Sequence, residues 1–144
     1  MDTKNIISKI YGPVKYEVGR EKIMEYAMAV NDLNPIYLKD EEAIKAGFKS
    51  IVAPPLFSVV YTWKIVEMVL RDPDLALNLA MFVHREQSFD FVELVYPGDV
   101  ISTEGKIIDF YTKTGFQFFT LETTSFRNTA IIAKGISTFV VRRR

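Results

Sequence analysis

The chain has no cysteine, which excludes disulfides, thiolate metal sites and cysteine nucleophiles. It has one histidine, His84, too few for a histidine-rich metal site within one chain. Neither sign of charge is in excess: 18 basic and 18 acidic side chains give a formal net charge of zero. Neutralising phosphates takes a basic footprint, so nucleic acid is not an expected partner. The only basic cluster is Arg142, Arg143 and Arg144, which reads as a solvated tail. No apolar run is long enough to span a bilayer. The longest, around Leu56 to Leu70, is interrupted by Lys64 and Glu67. Met1-Asp2-Thr3-Lys4 lacks the apolar core of a signal peptide, and a cytoplasmic location is the expectation.

What is there is the balance of a globular protein. The chain has 144 residues, of which 49% are apolar and 25% charged. That suffices for one domain, 1–144, with its own core. No internal repeat, low-complexity segment or linker interrupts it.

Gly12-Pro13 opens a short extended run, Val14 to Val18. From Arg20 to Asn31 the apolar residues Ile23, Tyr26, Ala27 and Val30 recur at helical spacing and are expected to face a core. Asn34-Pro35 is expected to end that helix, because the residue before proline disfavours helical backbone. Asp40 to Ala46 reads as a second short helix closed by Gly47. Pro54-Pro55 then opens the most apolar helix, proline being tolerated where an N–H would have no partner. From Leu56 to Leu70 its apolar residues run nearly all round, so burial on most sides is expected. Asp72-Pro73 stops it.

Beyond this point the pattern changes to strands: Met81 to Phe91, Val100 to Thr112, Phe116 to Phe126 and Ile131 to Arg142. Pro97-Gly98-Asp99 and Thr114-Gly115 are turn signals between them. Phe116, Phe118 and Phe119 read mostly as core. The expected class is α+β: an antiparallel sheet of about five strands wrapped around a long apolar central helix, the hot-dog architecture. Such a domain leaves a sheet edge and a helix face uncovered, so pairing into dimers is expected.

Asp32-Leu33-Asn34-Pro35-Ile36-Tyr37 and Ile51-Val52-Ala53-Pro54-Pro55-Leu56-Phe57 carry a more specific signal. So do Val18 to Ile23, His84-Arg85-Glu86-Gln87-Ser88-Phe89 and Tyr96-Pro97-Gly98-Asp99-Val100. In this order the chain resembles the MaoC-like hydratase/dehydratase superfamily, and within it the N-terminal MaoC-type, or FAS1-like, dehydratase domains. The resemblance implies an Asp-x-Asn-Pro-x-His motif whose Asp and His activate water at an enoyl or 3-hydroxyacyl thioester. It also implies a backbone N–H at the start of the central helix, aimed at the thioester oxygen. This sequence departs at both places. Asp32 and Asn34 match, but Tyr37 stands at the histidine position, and a phenol of pKa about 10 is a poor base at neutral pH. Pro55 stands where the family has a glycine and offers no N–H.

By that resemblance, Asp32, Tyr37 and His84 are the candidate catalytic residues. Asn34, Ala53, Pro55, Leu56, Phe57 and Gln87 are the candidate substrate contacts, with Leu56 N–H as the substitute donor. Phe57, Tyr61 and Trp63 read as tunnel or core. The substrate would arrive on CoA or acyl-carrier protein, with no metal or other cofactor. The leading expectation is an acyl-thioester-binding subunit that forms a heterodimer with a subunit carrying the Asp/His dyad. Three alternatives stay open: a self-sufficient homodimer using Asp32 with His84 or Tyr37, a non-enzymatic acyl-CoA or carrier-protein binding module, and a thioesterase using Glu67. Plainer readings stand beside these. Asp32 to Pro35 also makes sense as a helix end and turn, Tyr37 as packing, and Glu67 as an ion-pair partner of Lys64.

Overall fold

The computed structural model describes residues 6–142. Met1 to Lys4, and Arg143 and Arg144 of the basic cluster, lie outside the described residues. The elements in chain order are β1 (Ile10–Glu17), α1 (Arg20–Ala29), α2 (Asp40–Lys45), α3 (Ser58–Leu70), β2 (Phe82–Phe91), β3 (Val100–Lys113), β4 (Phe116–Arg127) and β5 (Ala130–Arg142). The strands form one antiparallel sheet in the order β1-β3-β4-β5-β2. The β3–β4 hairpin turns at Thr114 and Gly115, whose φ values are +49° and +81°. Both lie in the left-handed region that a tight two-residue turn requires.

Strict alternation along β4 buries Gln117, Phe119, Leu121, Thr123 and Ser125 on the concave side. α3 lies against that side. Its approach is close enough that Gly105 on β3 has no room for a Cβ, which would collide with the Ile65 side chain. The core divides along the helix. Ile65, Val66 and Val69 pack with Ile107, Phe119, Leu121 and Phe139 at one end. Phe57 and Tyr61 pack with Val18, Ile23, Ile51, Val95 and Ile132 at the other. Burying an aliphatic or aromatic side chain of this size stabilises a fold by about 1.5–3 kcal/mol.

The hot-dog arrangement is as the sequence pattern implies, with three corrections and one addition. The α-helix proper is 13 residues, and it is not buried all round: Trp63 is 51% and Met68 38% exposed. A single sheet covers one side of a helix, so the opposite side faces outward. Val30 is exposed as well, because α1 ends at Ala29 and Asn31 turns into the left-handed region (φ +57°) three residues before Asn34-Pro35. Of Phe116, Phe118 and Phe119, only Phe119 is core, while Phe116 and Phe118 share the outer face, where Phe118 stacks on Tyr111 at 4.8 Å. Finally, β2 is an edge strand whose residues from Val83 to Ser88 are all exposed.

Candidate functional site

The site is built around the start of α3. Pro55–Phe57 form a single 3₁₀ turn that runs straight into the helix, and neither Pro54 nor Pro55 has an N–H to contribute. Helix starts otherwise collect unpaired N–H groups. The first side chains pair among themselves instead. Ser58 Oγ donates to the Pro55 carbonyl at 2.9 Å and lies 2.7 Å from the Tyr61 hydroxyl. From outside, the Tyr26 hydroxyl donates to the Leu56 carbonyl at 3.0 Å, and its ring meets Phe57 edge-on at 5.6 Å.

A second segment crosses in front of this helix start. Asn34 Oδ1 accepts from Ile36 N–H at 3.2 Å, and Tyr37 N–H donates to the Asn34 carbonyl at 3.0 Å. These bonds make the turn that Asn-Pro chemistry favours. Val52 N–H then donates to the Ile36 carbonyl at 3.2 Å, which fixes Tyr37 beside the residues leading into α3. Asp40 braces the same region by accepting from Ile51 N–H at 2.8 Å and pairing with Arg20 at 2.9 Å. The Ile51 N–H, then Arg20, hold its carboxyl below the usual range.

The third wall is the 92–99 segment. Ala53 N–H donates to the Val95 carbonyl at 2.8 Å. The Arg127 guanidinium donates to the Leu94 carbonyl at 3.0 Å and to Asp99 at 2.9 Å, and it pairs with Glu93. One planar fork thus holds three points of the loop.

Between these walls lies a cleft of about 160 Å³. Its inner side is Ala53, Pro55, Phe57, Ser58 and Tyr61; Ile36, Tyr37 and Phe48 cover it; Phe91, Glu93, Leu94 and Val95 close the outer side. The lining is mostly apolar with a few polar groups, the usual make-up of a small-molecule site. Away from the buried floor, the lining carries two side chains with polar ends, Tyr37 and Glu93. Burial first, and then the charge of Asp32, pushes the Tyr37 phenol above its ordinary value. It therefore stays protonated at neutral pH, a hydrogen-bond donor and not a base. Glu93 is engaged by Arg127. Tyr61, deeper in, is likewise raised by burial.

Of the residues singled out in the sequence, Tyr37, Ala53, Pro55 and Phe57 come together in this cleft. Asp32 and Asn34 are exposed beside it, with Asp32 close enough for its charge to act on Tyr37. Leu56 points outward, 56% exposed. His84 and Gln87 lie elsewhere, in a groove of about 490 Å³ between β2 and the outer face of α3, with Val59, Trp63 and Val66. There His84 packs on Phe139 at 4.6 Å, and Gln87 accepts from Ser137 at 2.6 Å. Glu67 is an ion-pair residue, 2.7 Å from Lys64 and 3.0 Å from Arg71, and Lys64 holds its carboxyl low. The sequence reading missed Arg127 and the wall it holds. The one local signal was an arginine at the tip of a hairpin, which resembles any solvated charge. Phe48 was also missed.

A five-stranded antiparallel sheet over one helix, with a cleft at the helix start, is the fold of MaoC-like dehydratases. It superposes on a chain of the C-terminally truncated HadBC complex, a 3R-hydroxyacyl-ACP dehydratase of Mycobacterium tuberculosis, with a TM-score of 0.81 at 22% identity, covering 94% of this chain and 96% of that one. A MaoC-like dehydratase gives 0.85 at 20% identity, covering 97% of this chain and 43% of the larger one. The ChsH1-ChsH2 complex of M. tuberculosis gives 0.73 at 19% identity, covering 93% and 89%. The chain belongs to the FAS1-like dehydratase domain family, whose model matches residues 5–134. Among curated relatives, a UPF0336 protein of Streptomyces avermitilis is 38% identical over 105 residues, 72% of this chain and 70% of that protein. One from Thermobifida fusca is 36% identical over 110 residues, 76% and 72%. Among the described residues, no helix is long and apolar enough to cross a membrane.

Proposed function

We propose that this chain is the acyl-thioester-binding subunit of a two-part hydratase/dehydratase. Its cleft holds the acyl group of a CoA or carrier-protein thioester, and a MaoC-like subunit carrying the Asp/His dyad supplies the proton transfer. The observation that carries this reading is the chemistry of the cleft. It has an apolar lining suited to an acyl group, while its exchangeable proton near the motif sits on a phenol pushed above its ordinary value by burial and the Asp32 charge. Hydration needs a group that can take a proton near neutral pH. A phenol held protonated can hydrogen-bond a carbonyl or hydroxyl but cannot activate water. His84, the better base by type, lines the other groove.

The uncovered surfaces support the partner half of the reading. The β2 edge and the outer face of α3, with Trp63 half exposed, flank the His84 groove on one side of the molecule. An uncapped ten-residue edge strand beside an apolar helix face is a pairing surface. That HadBC and ChsH1-ChsH2 are complexes is consistent with it.

The test is a spectrophotometric assay of crotonyl-CoA hydration. The purified chain is expected to give no turnover above buffer. Tyr37→His with Pro55→Gly, or addition of a dyad-bearing MaoC-like subunit, is expected to produce turnover. Hydration by the unmodified chain at an ordinary enzyme rate would overturn the proposal.

A further inference from the structure

Resting on that reading, the geometry points to Tyr61 as the residue that sets acyl-chain length, closing the cleft so that it takes short acyl groups of about four to six carbons. The cleft runs inward from an exposed mouth to a buried floor. At the mouth, Phe91 and Leu94 are 48% and 47% exposed. At the floor, Phe57, Ser58 and Tyr61 are no more than 2% exposed. Tyr61 is among the largest fully buried side chains of the protein, and it is the last residue of α3 to reach the cleft. The next inward-facing position, Ile65, belongs to the packed core at the other end of the helix.

Two further observations fix the closure. The Tyr61 ring is packed against Phe57, with centroids 6.4 Å apart. Its hydroxyl is tied to Ser58, which in turn donates to the Pro55 carbonyl, so the ring cannot swing aside without leaving its own buried hydroxyl unpaired. The volume then bounds the guest. An apolar cavity of about 150 Å³ is known to hold a benzene ring. The cleft here is about 160 Å³, room for a chain of roughly six carbons.

The experiment is titration calorimetry of the full chain with butyryl-, hexanoyl- and dodecanoyl-CoA, repeated on Tyr61→Ala and Tyr61→Leu. Each methylene moved from water into an apolar site strengthens binding by about fourfold. Affinity should therefore rise roughly fifteenfold from butyryl to hexanoyl and then level off or fall by dodecanoyl. In Tyr61→Ala, or in Tyr61→Leu should the alanine variant not fold, affinity should continue to climb beyond six carbons. If the unmodified chain binds dodecanoyl-CoA with the affinity extrapolated from the shorter chains, the length limit is wrong while thioester binding stands. If neither folded variant extends the range, Tyr61 is not the gate. If no chain length binds, the thioester reading itself fails, and the gate with it.

Discussion

The two ends of the central helix are built from similar residues and put to opposite uses. At the C-terminal end the helix runs into a buried carboxylate with three partners. Asp72 accepts from the Tyr11 hydroxyl at 2.6 Å, from Asp74 N–H at 3.0 Å and from Lys9 at 2.6 Å, at the edge of a packed aromatic and aliphatic core that includes Tyr11. At the N-terminal end two prolines remove N–H donors, the side chains leave a cleft, and one arginine adds side-chain ties to the backbone bonds of the wall opposite. The first end is designed around stability. The second gives up packing to keep a space open. One apolar run in the sequence therefore contains both a packed half and a half that borders a cleft, and only their surroundings distinguish them.

Ile65→Ala and Gly105→Ala should break the packed half hardest. Ile65 is fully buried, and its truncation is expected to cost about 2–5 kcal/mol in chemical denaturation. Gly105→Ala forces the helix off the sheet and is expected to cost about 1–3 kcal/mol. The equivalent truncation at the other end, Tyr61→Ala, borders an existing space and should cost less than Ile65→Ala. If it costs more, the division of the helix is wrong.

Asp72→Asn comes next, at about 1–3 kcal/mol, because it weakens a buried set of hydrogen bonds. Its effect should depend on pH. Burial pushes the Asp72 carboxyl up, but Lys9, Tyr11 and the Asp74 N–H more than offset this and leave it below the ordinary value. A depressed carboxylate contributes its stability above the unfolded pKa, about 3.9, and loses it as pH falls through the folded value. The melting-temperature gap between wild type and Asp72→Asn should therefore be full at neutral pH and shrink below about pH 4.

At the cleft end the effects on stability should be smaller and those on ligand larger. Arg127→Met is expected to cost only about 1 kcal/mol of stability, since the side chain is partly exposed. It should nevertheless weaken acyl-CoA binding several-fold in calorimetry, by freeing the outer wall. Equal binding by Arg127→Met would show that the wall holds itself. Asp32→Asn should be the mildest change, within about 0.5 kcal/mol of wild type in denaturation, because the residue is exposed.

Much of this was legible in the residues. Alternation in β3 to β5, the Thr114-Gly115 hairpin and the proline-led apolar helix are local signals, and local signals survive into the fold. The motif around Asp32 to Tyr37 and Ala53 to Phe57 located the cleft because those segments carry their own turn chemistry. What the sequence could not give depends on contacts between distant segments. Trp63 and Phe57 are both apolar residues at the start of one helix, yet Phe57 is 1% and Trp63 51% exposed, since only the sheet decides which side is covered. His84 lines the β2 groove while Asp32 acts on Tyr37 at the cleft, a separation that no periodicity encodes. Arg127 reaches its three partners 28 to 34 residues away in the chain, across a hairpin.

The most direct test of the account is a single NMR titration of the isotopically labelled chain with crotonyl-CoA, reading protein amides and ligand protons together. The account predicts shifts concentrated at Tyr37, Ala53, Phe57 and Tyr61, with the crotonyl signals unchanged over hours. Conversion of those signals to 3-hydroxybutyryl-CoA, or shifts confined to His84, Gln87 and the β2 groove, would contradict it.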